Sequence, residues 1–64
     1  MTDKEIYEVL GIEEENRKTC NNLLEEFREL NDLYDANEIW LQGDYGIYCD
    51  GVIVDETEHL VVVK

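Results

Sequence analysis

The chain has 64 residues, with 17 Asp and Glu against five Lys and Arg, for a formal net charge of -12. That length supports one domain, residues 1–64, with a small core worth about 3–5 kcal/mol of stability at most. An apolar content of 44% argues against a disordered acidic tail, and the acid excludes duplex nucleic acid as a direct partner, because such binding rests on Lys and Arg.

Thr2 and Glu5 stand in the spacing of a capping box, which predicts a first helix over about residues 3–10. Ile6, Val9 and Leu10 recur at helical spacing on one face. Gly11 can take the left-handed conformation that ends the helix, with Ile12 packing back on Tyr7. Residues Tyr7–Ile12 resemble the opening of J-domain cochaperones, but the chain has no proline and so lacks that family's His-Pro-Asp loop.

A second, longer helix is predicted from about Glu13 to Tyr34. Cys20, Leu23, Leu24, Phe27, Leu30 and Tyr34 form its apolar stripe. Glu25, Glu29 and Asp32 lie opposite the stripe, with Glu26 at its border. Glu13 with Arg17 and Glu14 with Lys18 are expected to pair one turn apart. Past Lys18 only Arg28 is basic, so Glu25, Glu26, Glu29 and Asp32 make an acidic ridge with little compensation.

The remainder reads as strand. Ile39 and Leu41 alternate with Trp40; Ile47–Cys49 and Val52–Val54 flank Asp50-Gly51; Leu60–Val63 closes the chain. Asp50-Gly51 is read as a bulge inside one strand, giving three strands, or as a hairpin turn, giving four. The expected fold is α+β: two N-terminal helices, one short and one long, packed on one face of a small antiparallel β-meander. Ile39, Leu41, Ile47, Cys49, Leu60 and Val62 should face the helices. Trp40, Tyr48, Val61 and Val63 should form a second apolar face left open for a homodimer or a partner protein. Asp55, Glu56 and Glu58 are placed in an acidic turn before Leu60.

Catalytic chemistry finds little support. There is no serine. Cys49 alternates onto the core side, where thiols are inert, and no third group orients a Cys49–His59 pair. His59 with Asp55, Glu56 and Glu58 offers oxygen and nitrogen ligands, but not the separated Cys and His of a zinc site. No enzyme activity, cofactor or metal is expected. The longest apolar run, Leu60–Val63, is far too short to span a membrane, and no apolar leader follows Met1. Two cysteines make no disulfide framework, which points to the cytoplasm.

In size, charge and α+β layout the chain resembles the DNA-mimic and anti-CRISPR inhibitors of phages and mobile elements. The resemblance covers the whole chain and includes no shared motif. It implies a cytoplasmic inhibitor that occupies the basic nucleic-acid-binding surface of a target such as a CRISPR-Cas effector. The ridge Glu25, Glu26, Glu29 and Asp32 and the turn Asp55, Glu56 and Glu58 would be the contact. The alternative is an interaction or assembly module, antitoxin-like or a small subunit, that binds through Trp40, Tyr48, Val61 and Val63.

Overall fold

The computed structural model describes residues 1–19 and 21–64. Helix α1 spans Asp3–Leu10 and begins with the expected capping box. The Glu5 N–H donates to Thr2 Oγ1 at 3.2 Å, and the Thr2 N–H donates to Glu5 Oε1 at 2.9 Å. The hydrogen bond from the Thr2 N–H, and then one from the Thr2 side chain, hold the Glu5 carboxyl below its ordinary pKa. Gly11, at φ +73°, ends the helix, and the Ile12 N–H donates back to the Tyr7 carbonyl at 3.0 Å. The buried face is Ile6, Tyr7 and Leu10, while Val9 is exposed. Tyr7 replaces Val9 because its ring carries the Arg17 guanidinium at 5.2 Å and its hydroxyl donates to the Arg17 carbonyl.

The long second helix is divided. A 3-10 helix runs over Glu14–Thr19, and helix α2 spans Asn21–Asn31. The run Thr19-Cys20-Asn21-Asn22 is poor in helix formers. Upstream, Arg17 turns its Nε to the Ile12 carbonyl at 3.2 Å rather than to Glu13. Neither expected pair, Glu13 with Arg17 or Glu14 with Lys18, forms among the described residues. The expected core position of Cys20 lies outside the described residues. The rest of the stripe holds: Leu23, Phe27 and Leu30 are buried, with Leu24 and Tyr34 packed against them.

The sheet has three antiparallel strands, β1 Ile39–Leu41, β2 Ile53–Glu56 and β3 Leu60–Val63, and the helices cover one face. The α+β architecture is as expected, but the strand order is β1-β3-β2, not that of a meander. β3 is central, and buried along its whole length. Trp40 pairs with Val61 and Ile39 with Val62, which puts Ile39, Leu60 and Val62 in the core with Ile6, Phe27 and Leu30. The face assignment for β1 and β3 is therefore as the alternation predicts.

Residues 45–49 form no strand. Gly46, at φ +86°, turns the chain, and its N–H donates to the Cys49 carbonyl at 2.7 Å. Ile47 and Tyr48 both donate back to the Asp44 carbonyl. β1 and β2 already occupy both edges of β3, so this stretch satisfies its backbone locally. Ile47 is consequently 70% exposed rather than in the core. The bulge sits at Val54, between Ile53 and Asp55, and not at Asp50-Gly51.

Candidate functional site

The core stripe of α2 fixes which side chains face outward. With Leu23, Phe27 and Leu30 buried, Glu25 and Glu29 point to solvent one turn apart, roughly 6 Å along the axis. Asp32 continues past the last helical residue, its N–H donating to the Arg28 carbonyl at 3.2 Å. Arg28, the one base expected to soften this ridge, is turned away from it. Its guanidinium pairs with Asp3 and donates to the Met1 carbonyl at 2.9 Å, tying the start of α1 to α2. Among the described residues, Glu25, Glu29 and Glu58 form no ion pair with a Lys or Arg.

Glu26 behaves differently from its neighbours. Its carboxylate accepts the His59 N–H at 2.9 Å through Oε1 and meets His59 Nδ1 at 2.7 Å through Oε2. Burial pushes the Glu26 pKa up, but hydrogen bonds from Thr57 and His59 outweigh it and the net shift is downward. The hydrogen bond to Glu26 raises the His59 pKa, opposed by desolvation and helped by Glu26 and Glu58 charge. Glu26 is therefore a clasp between α2 and the 57–59 turn, and its charge is matched when His59 is protonated.

The clasp has a geometric consequence. It draws the turn against α2, so that Asn22, Glu25, Glu26, Glu29, Thr57 and Glu58 line one shallow groove. Two acidic features that are 29 or more positions apart in sequence become one surface. Asp32 lies elsewhere, beside Tyr34, Asp35, Glu38 and Lys64.

The acidic turn is shorter than expected, because Asp55 and Glu56 belong to β2. Asp55 is half-buried and structural. Its Oδ2 accepts from the Tyr34 hydroxyl at 3.2 Å, and its Oδ1 accepts from the Glu56 N–H at 2.8 Å. Burial, then the Asp55 contact, raises the Tyr34 pKa. Glu56 is exposed on the strand, and Glu58 alone of the three reaches the groove.

The second sheet face is not the open patch that the alternation suggests. Val61 is 2% exposed and Val63 8%. Trp40, paired with Val61, is half-buried. Tyr48 is 70% exposed but sits in the 46–48 turn, outside the sheet. The chain's own backbone lies against this face at Gly51, where a β-carbon would stand only 2.6 Å from Val63 Cγ1. The Tyr45 hydroxyl, donating to the Gly51 carbonyl at 3.0 Å, holds the loop in that place.

Sequence reasoning missed the His59–Glu26 clasp and the diversion of Arg28. The sequence weighs His59 against Cys49 and against the acids of its own turn, and no local pattern links it to a residue 33 positions away. Among the described residues, no group of three or more His, Cys, Asp or Glu is placed to hold a metal ion, and no helix is long and apolar enough to cross a membrane. The groove thus presents the carboxylates of Glu25, Glu26, Glu29 and Glu58 together. Comparison with protein-family models, curated proteins and solved structures finds no match to this chain.

Proposed function

We propose that this protein is an acidic inhibitor that occupies a basic nucleic-acid-binding surface on a target protein, a CRISPR-Cas effector being the target class that the likeness to anti-CRISPR DNA mimics suggests. The observation that carries this reading is the groove in which Glu25, Glu29 and Glu58 stand together without a Lys or Arg partner among the described residues. A helix fixes Glu25 and Glu29 roughly 6 Å apart along its axis, within a factor of about two of the roughly 3.4 Å charge spacing along one nucleic-acid strand. A pre-arranged array of this kind is steered quickly into a cationic groove.

The alternative, an assembly module docking through the sheet, would need Val61 and Val63 at the surface, and both are buried. The test is inhibition of DNA binding across a panel of Cas effectors and restriction enzymes. Glu25→Lys, Glu29→Lys and Glu58→Lys together should abolish inhibition at unchanged far-UV circular dichroism. Inhibition by the unsubstituted protein should weaken steeply as salt shortens the Debye length from about 30 Å toward 8 Å. Inhibition that survives the triple substitution removes the groove from consideration.

A further inference from the structure

β2 is an outer strand, paired with β3 on one side only. Its two ends show which backbone groups are spent. Val52 exchanges both hydrogen bonds with Lys64, at 3.1 and 3.0 Å, and the Thr57 N–H donates to the Leu60 carbonyl at 2.8 Å. Inward and outward residues alternate along an antiparallel ladder. The shift at Val54 keeps Asp55 opposite Val62, so Ile53 and Glu56 are the residues that direct N–H and C=O away from β3. The Glu56 N–H is already bound by Asp55 Oδ1. What remains for another chain is the Ile53 N–H and the carbonyls of Ile53 and Glu56.

The side chains along this edge are apolar and accessible: Val52, Ile53 and Val54 are all exposed. Acid brackets them, with Asp50 before and Glu56 within the strand, both exposed. A bulge and flanking charge are the devices that keep an edge from pairing with copies of itself. A second copy set antiparallel about Ile53 would bring Glu56 beside Gly51 and Asp50 of that copy, and would join two bodies each of charge -12. A strand of opposite charge meets no such barrier.

We propose that the β2 edge receives an extended basic segment of a partner protein as a fourth, antiparallel strand. An apolar residue of that segment would exchange two backbone hydrogen bonds with Ile53. Two positions before it a Lys or Arg would face Glu56 on the same side of the sheet. This edge is separate from the α2 groove and does not depend on it.

The probe is a capped peptide of Lys-Thr-Val-Thr repeats, with a Glu-for-Lys peptide as control, titrated into isotope-labelled protein. The Lys peptide should shift the Ile53 amide and protect it from hydrogen exchange while leaving Glu25 and Glu29 unmoved. Ile53→Pro removes the outward donor without touching the β2–β3 ladder and should weaken binding about tenfold. Glu56→Lys should turn the preference toward the Glu peptide. Equal binding of both peptides, shifts concentrated at Glu25 and Glu29, or an unchanged affinity in Ile53→Pro would each overturn the proposal. Should Ile53→Pro fail to fold, exchange in the unsubstituted protein decides: an Ile53 amide that gains no protection at saturating peptide refutes it.

Discussion

Gly51→Ala tests whether the second sheet face is closed, and with it the choice between the two functional readings. A β-carbon at Gly51 would meet Val63 Cγ1 at 2.6 Å and the Lys64 carbonyl oxygen at 2.9 Å. The first contact is with a side chain that is itself buried, so it has little room to turn away. The second is with backbone, and the Lys64 carbonyl is already fixed by the Val52 N–H. Relief requires the 51–52 segment to lift from β3. Overpacking of this kind costs about 1–3 kcal/mol. Against a total stability of about 3–5 kcal/mol, a loss of about 2 lowers Tm by roughly 8–16 °C. Urea unfolding followed by Trp40 fluorescence reads the change, since Trp40 lies on the same face, opposite Val61. Gly43→Ala is the control, because nothing lies within 4 Å of its β-carbon. Adding Val63→Ala removes the side-chain clash but leaves the carbonyl, so the two changes should be non-additive by more than about 0.5 kcal/mol. A Gly51→Ala protein within about 0.5 kcal/mol of the parent would refute the reasoning. The loop would then not be seated on Val63, and the sheet face would return as a binding surface.

Val61→Ser places a hydroxyl at a 2% exposed site and should destabilise by roughly 1–3 kcal/mol, whereas Tyr48→Ser, at a 70% exposed site, should stay within about 0.5 kcal/mol; thermal melts separate them, and equal effects would contradict the burial described. The Glu26–His59 clasp predicts a stability window. Glu26 is held below its ordinary 4.5, so its contribution is present above that pH and is lost as pH falls through the lowered folded value. His59 is held above its ordinary 6.5, so its contribution is full below that pH and is lost as pH rises through the raised folded value. The pair therefore stabilises most between pH 4.5 and 6.5. His59→Gln should flatten the alkaline decline in urea midpoint, and a parent protein with no decline to flatten would sink the assignment.

The parts of this fold that are legible in the sequence are those settled within a few residues. Thr2 and Glu5 declare the start of α1, and Gly11 its end, because capping is decided by groups three or four positions apart. Alternation sorts Ile39, Leu60 and Val62 from Trp40, Val61 and Val63 because a strand has only two faces. The failures are non-local. Ile47 alternates as well as any strand residue, but β3 has no edge left for residues 45–49, and the Ile47 N–H donates to the Asp44 carbonyl instead. Val63 looks open until Gly51, twelve positions earlier, is found against it. Within the candidate site, Glu25 and Glu29 follow from helical periodicity. The demotion of Glu26 and Asp55 to structural roles does not, since their partners His59 and Tyr34 are fixed by the tertiary fold.

The placement of the bases bears on why the chain is so acidic. Solubility alone constrains the sign and size of net charge, not where the few cations go. Here three of them hold the fold together away from the groove. Arg28 secures the start of α1 through Asp3 and Met1, Arg17 joins the 3-10 segment to Tyr7 and Ile12, and Lys64 reaches Glu38 and the Tyr34 ring. Among the described residues, the group of basic type brought to the groove is His59, and it is spent on Glu26, the carboxylate nearest the core stripe. Glu25, Glu29 and Glu58 keep their charge facing outward. Like charges one turn apart on a helix cost about 0.2–0.5 kcal/mol per pair, in a domain worth about 3–5 kcal/mol. An arrangement that leaves that repulsion in place while using Arg28 one turn from Glu25 for another purpose makes sense if the groove's counter-charge comes from another molecule.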